Sequence, residues 1–233
     1  MKNLLKKWWF WVIVVFVIGY FGSLMQKPKA TMPTSTTSKA LSKEEIAKSK
    51  EHDSFASLAK EGNKKIDFIN EIKGSLENLK IYQNTFYGDN FKSYSPVEIL
   101  NVLNNWTATY NNIYNSTDNE ILEYKTEYYK LLSKALKTNY PALRKYFAKF
   151  SNDKMWEHNW EISSLGSGNK EIRFIAAVFA NNANVKEAYQ NLKNQLSEFR
   201  FKKASFLWFK SAPEYTYYDI DSKSDLDDIK NLK

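Results

Sequence analysis

The chain has no cysteine among its 233 residues, and only two histidines, seven glycines and five prolines. Without thiols there is no disulfide framework, no thiolate metal centre and no cysteine nucleophile, although the compartment stays open. The shortage of glycine and proline excludes collagen-like and loop-rich solenoid compositions. No HExxH, Walker A, Rossmann glycine fingerprint or GxSxG stretch occurs. The two histidines do not fill the gap. His52 stands in "EHD" (51–53), where consecutive helical residues point about 100° apart and cannot converge on one ion. His158 alternates with Trp156 and Trp160, a pattern that reads as packing on a sheet face.

What is present is apolar, aromatic and basic. Aromatic residues make up 16% of the chain, and the formal net charge is +8. Such a charge permits attraction to nucleic acid, anionic lipid or wall polymer. It is unevenly spread, however. The first fifty residues are lysine-rich, whereas "DIDSKSDLDDIKNLK" at the C-terminus holds more aspartates than lysines.

The strongest signal is "MKNLLKKWWFWVIVVFVIGYFGSLMQKPK". Residues 8–25 carry no charge and are long enough to cross a hydrocarbon core of about 30 Å at about 1.5 Å per residue. Lys6, Lys7, Lys27 and Lys29 bracket the span, and Trp8, Trp9 and Trp11 gather where indole rings favour the headgroup layer. Val12, Ile13, Phe16, Ile18, Phe21 and Met25 supply the apolar body. The stretch is too long for a signal-peptide core, and no small-x-small cleavage site follows closely. The expectation is an uncleaved single-pass anchor, with lipid as its partner. Residues 1–7 would form a basic cytoplasmic terminus, with the remainder outside the membrane. Residues 26–42, rich in Pro, Ser, Thr and Lys, read as a flexible stalk.

Residues 43–150 read as helical. "SKEE" at Ser42 has a capping-box spelling, and Ile66, Ile69, Ile72, Leu76 and Leu79 keep a three-or-four spacing. In "SPVE", Ser95 caps, Pro96 takes the first helical position and Glu98 reaches back. Ile99, Leu100, Leu103, Trp106, Tyr110 and Ile113 form one face of the helix that follows. Asp118 caps another helix, and Pro141 opens a last one to about Phe150.

Residues 151–220 change period. Strands are expected from Trp156, then after the turn "GSGN" (166–169), then, beyond a helix over 185–199, in "RFKKASFLWFK" and "YTYYDI". The fold class is therefore α+β: an N-terminal transmembrane helix, a stalk, a helical segment and a small antiparallel module in the order strand-strand-helix-strand-strand, with helices on one face. Residues 221–233 read as an acidic, frayed tail.

"KKASFLWF" (202–209) matches only part of the RRM consensus; Ala204 stands where a stacking ring belongs, so no nucleic-acid partner is expected. Instead it reads as a central strand with both faces covered, the basic residues Arg200, Lys202, Lys203 and Lys210 reaching water at its ends. Tyr215, Tyr217 and Tyr218 could pair across the turn and offer a rim for a partner. Glu157, Glu161 and Glu171 could form a carboxylate pair across the hairpin, and Asp219 with Asp221 lacks a third fixed oxygen for calcium.

No catalytic residue, cofactor or metal is assigned. The expected function is a membrane-anchored, non-catalytic binding or assembly module of the cell envelope, its partner another envelope protein. The first alternative is an envelope-polymer hydrolase using Glu157, Glu161 or His158. The second is a cytoplasm-facing protein that binds anionic lipid or nucleic acid.

Overall fold

The computed structural model describes residues 43–91, 93–155, 160–176, 185–209 and 213–230. The basic terminus, the anchor over 8–25, the stalk, Trp156 to Asn159 and Lys210 lie outside the described residues. Among the described residues no helix is long and apolar enough to cross a membrane. The described part is α+β.

The first helix, α1, is one continuous element, Lys43–Tyr82. The chain divides into two compact units between Ile66 and Asp67, within this helix. Of the first unit only the helical segment is described. Ile69, Ile72, Leu76, Leu79 and Tyr82 are buried at helical spacing, whereas Ile66 is exposed, so the packed stripe starts one step later than expected.

A short turn of helix, α2 (Tyr87–Asn90), precedes α3 (Pro96–Asn115). The box at Ser95 forms as spelled: Ser95 Oγ accepts from Glu98 N–H, and Glu98 accepts from Ser95 N–H. All six residues of the expected α3 face are buried. Asp118 caps α4 (Asn119–Leu122), after which the chain turns into α5 (Lys125–Met155).

Pro141 does not open a helix; it lies inside α5. An interior proline costs about 3 kcal/mol. Leu136, Tyr140, Leu143 and Phe147 are all buried around it, and each such apolar side chain returns about 1.5–3 kcal/mol. Burial on both sides outweighs the break.

Tyr110 and Tyr128 stack between α3 and α5 at 6.2 Å, fully buried, and neither hydroxyl has a hydrogen-bond partner among the described residues. Desolvation is the largest influence on both hydroxyls and outweighs the lowering effect of Ser75 and Thr109 at Tyr128. Burial pushes both phenols up to about 12. Unfolded tyrosine ionises near pH 10. Over this interval the folded chain holds more protons than the unfolded one, so these groups' stabilisation is intact below pH 10 and is lost as pH climbs towards 12. Urea midpoints measured against pH should therefore break downward between pH 10 and 12. Tyr128→Phe should soften that break and cost little at pH 7, because it removes an unpaired buried hydroxyl.

Four strands follow: β1 (Trp160–Leu165), β2 (Glu171–Ala176), β3 (Lys203–Phe209) and β4 (Pro213–Asp219), in the spatial order β1-β2-β3-β4. The β1–β2 turn needs left-handed backbone at Gly166, Gly168 and Asn169. The sheet is not wholly antiparallel. β2 and β3 run parallel, while the outer pairs are antiparallel. The helix α6 (Val185–Glu198) joins β2 to β3, and neighbouring strands joined through a helix run parallel. β3 is central, as its two apolar faces suggested. One sheet face, bearing Ile162, Phe174, Ala204 and Phe206, is buried. Asn152 of α5 accepts from Ile162 N–H there, and Tyr189 of α6 stacks on Tyr218 at 4.1 Å.

Candidate functional site

The opposite sheet face follows from register. Glu161, Ser163 and Leu165 of β1, Glu171, Arg173 and Ile175 of β2, Lys203, Ser205 and Leu207 of β3, and Tyr215, Tyr217 and Asp219 of β4 share it. Most of these side chains are half-buried or exposed. Ser205 and Leu207 are buried, so this side of β3 is covered, but its neighbours on β2 and β4 remain open to water.

Tyr215 and Tyr217 dominate this face, 42% and 51% exposed, their rings 5.8 Å apart and nearly parallel. The Lys203 ammonium sits 4.1 Å from the centre of the Tyr217 ring, and the Arg173 guanidinium 5.7 Å from that of Tyr215. Arg173 also lies 3.7 Å from Glu171, which accepts from Ser205 Oγ at 2.9 Å. Arg173 Nε is buried without a partner among the described residues. The result is an exposed aromatic pair flanked by two cations and by the Glu171 carboxylate.

The three tyrosines of the expected rim do not act together. Tyr218 turns to the helical face, against Tyr189 and Phe206. Across the ladder Tyr215 meets Leu207, Tyr217 meets Ser205 and Tyr218 meets Ala204, so no tyrosine pairs with an aromatic directly opposite. Alternation alone separates 218 from 215 and 217. Arg173 and Lys203 were missed as members of this face, although the same alternation could have found them.

The carboxylate pair does not form between Glu161 and Glu171. Glu161 is opposite Ile175 and Glu171 opposite Leu165, four positions apart. At about 3.4 Å per residue that separates them by roughly 14 Å, beyond the spacing of glycosidase carboxylates. Glu157 and His158 lie outside the described residues. Among the described residues no group of three His, Asp or Glu side chains could hold a metal ion.

A second cluster is buried. Arg144 of α5, 0% exposed, donates from Nε to Gly168 O at 2.8 Å and from both terminal nitrogens to Asp225, at 2.9 and 3.2 Å. Arg200 donates to Ser224 O and Asp228, each at 2.5 Å, and its guanidinium lies 4.0 Å above the Tyr140 ring. Arg200 therefore does not reach water at a strand end; it is 3% exposed. It also ends α6 with a left-handed backbone, φ 61°, where glycine is usual. Phe201 N–H bonds Leu196 O and Arg200 N–H bonds Ser197 O, the two bonds of a Schellman cap. The acidic tail is not frayed over 221–230. Asp225 and Asp228 clasp the two arginines, Ile229 is buried, and Asn111 of α3 donates to Asp228 O. The arginine cluster is buried within the fold, whereas the tyrosine face is accessible.

Comparison of the chain with protein-family models, curated proteins and solved structures finds no match.

Proposed function

We propose that this chain is a single-pass, N-terminally anchored envelope protein whose α+β module binds a protein partner outside the membrane, without chemistry of its own. The observation that carries the reading is the exposed Tyr215–Tyr217 pair flanked by Lys203 and Arg173 on the open sheet face. Tyrosine and arginine are the residues that most often dominate protein interfaces. The uncharged span over 8–25 and its lysine brackets support the anchor, and the lysine bias supports the orientation. Tethering would raise the module's local concentration near a target in the same envelope.

The test uses the full-length chain in membranes, with a photo-crosslinking residue at Tyr217 or, as an exposed control, at Ile81. A discrete protein adduct is expected from 217 and not from 81. Tyr215→Ala should reduce its yield about tenfold or more, the loss typical of a central aromatic contact. Protease added outside intact cells should remove a C-terminal tag. Full protection of the tag would overturn the orientation, and equal adducts from both positions would overturn the binding face.

A further inference from the structure

The free edge of β4 has a hydrogen-bonding pattern that complements itself. Lys203 N–H turns toward Lys170 O beside β2, so Ala204 and Phe206 turn their peptide groups toward β4. Ile220 N–H bonds Lys202 O, which gives the same phase from the other strand. In the antiparallel β3–β4 ladder, Tyr218 and Thr216 therefore face inward, and Pro213, Tyr215, Tyr217 and Asp219 present their backbone groups outward. Tyr189 Oη donates to Asp219 O at 2.9 Å, as an outward carbonyl allows. No described residue pairs with the outward groups of Tyr215 and Tyr217. The other edge differs, because Asn152 covers Ile162 N–H on β1.

We infer that β4 pairs antiparallel with β4 of a second copy, Thr216 lying on the twofold axis, to make one continuous eight-stranded sheet. In this register Tyr215 exchanges both backbone bonds with Tyr217 of the other copy, twice over. Pro213 falls opposite Asp219. Proline has no N–H to give, and the Asp219 carbonyl that would have received it already holds the Tyr189 hydroxyl. The remaining Asp219 N–H is free to donate to Pro213 O. Shifting the axis to Tyr215 puts Pro213 opposite Tyr217 and leaves the Tyr217 carbonyl unpaired. Shifting it to Tyr217 puts Tyr215 N–H opposite the occupied Asp219 carbonyl. Of these three registers, the one centred on Thr216 alone matches every outward group.

The usual protection of an edge is confined here to its two ends, at Pro213 and Asp219. Between Pro213 and Asp219 the outward positions carry two tyrosines and no lysine, bulge or proline. Pairing would join the two open faces and bring four exposed tyrosines into one surface. The inference deepens the binding-module reading by naming the first partner, and it rests on that reading only in treating β4 as the contact element.

The absence of cysteine makes the register testable with single thiols. Full-length chains carrying Thr216→Cys, Tyr218→Cys or Tyr215→Cys would be purified in detergent and oxidised with copper phenanthroline. Residues facing each other in a non-hydrogen-bonded antiparallel pair have the Cα separation that a disulfide accepts. Thr216→Cys should give a disulfide-linked dimer, with the other two at least about tenfold behind, because each is offset from its own copy. Tyr217→Pro in the Thr216→Cys chain removes an outward donor without touching the β3 ladder. It should cut the dimer yield about tenfold or more through the loss of two symmetric bonds. Circular dichroism would check that this variant remains folded, and Tyr215→Pro in the same Thr216→Cys chain, which removes the other outward donor, serves the same purpose if it does not. A Thr216→Cys chain that stays monomeric, or equal crosslinking at 215, 216 and 218, would overturn the pairing. An adduct at 217 to a different protein, with no dimer at 216, would leave the binding-module reading standing and sink this one.

Discussion

Arg144→Met should destabilise the folded unit by roughly 3–5 kcal/mol, the range found when one member of a buried ion pair is removed. The guanidinium is inaccessible, so no water replaces it. Its loss orphans Gly168 O and leaves the Asp225 carboxylate, 15% exposed, facing an apolar side chain. Methionine fills similar volume, so little of the effect comes from a cavity. Asp225→Leu alone should also cost several kcal/mol, whereas Arg144→Met with Asp225→Leu should cost less than the two summed. The coupling between these two substitutions, read from urea denaturation of the full-length chain, measures the clasp directly. A dispensable tail predicts no coupling and an Asp225→Leu effect within about 0.5 kcal/mol, the range of ordinary surface changes.

That contrast shows where sequence reading reaches and where it stops. Ser95, Pro96 and Glu98 were legible because a capping box is written within four residues and needs nothing distant. The faces of α3 and β3 were legible because period 3.6 and period 2 sort side chains before any tertiary contact exists. Aspartates at a chain end, by contrast, look the same whether solvated or paired. Their partners, Arg144 and Arg200, lie 81 and 28 residues away. Arg200 hid for a second reason: it occupies the left-handed cap position that glycine would have announced, a strained backbone held by its own side-chain bonds. The parallel pairing of β2 with β3 was readable from the helix between them, but two apparent hairpins suggested an antiparallel sheet. On the open sheet face, Tyr215 and Tyr217 stood out as aromatics. Arg173 and Lys203 did not, because a cation on a strand normally reads as a solvated one.

Asn139→Leu should cost about 2–5 kcal/mol, although it replaces a fully buried polar residue with an apolar one of similar size. Asn139 closes the end of α1. Its Nδ2 donates to Tyr82 O and to Ala135 O, each at 2.9 Å, and its Oδ1 accepts from Tyr87 N–H at 2.8 Å. Beside it, Thr138 donates to Gln83 O at 2.7 Å. The last carbonyls of a helix have no partner within it, so these two side chains of α5 act as its cap. Leucine would leave the Tyr82 carbonyl and the Tyr87 N–H without their side-chain partner, at about 1–3 kcal/mol each. Added apolar contact recovers only part of that. Asn139→Asp separates the two effects. It can still accept from Tyr87 N–H, but it cannot donate to the carbonyls and it buries a charge near them. Aspartate should therefore be worse than leucine at pH 7 and approach it as the carboxyl is protonated. Equal losses at both pH values would mean that volume, and not the cap, is what the site requires.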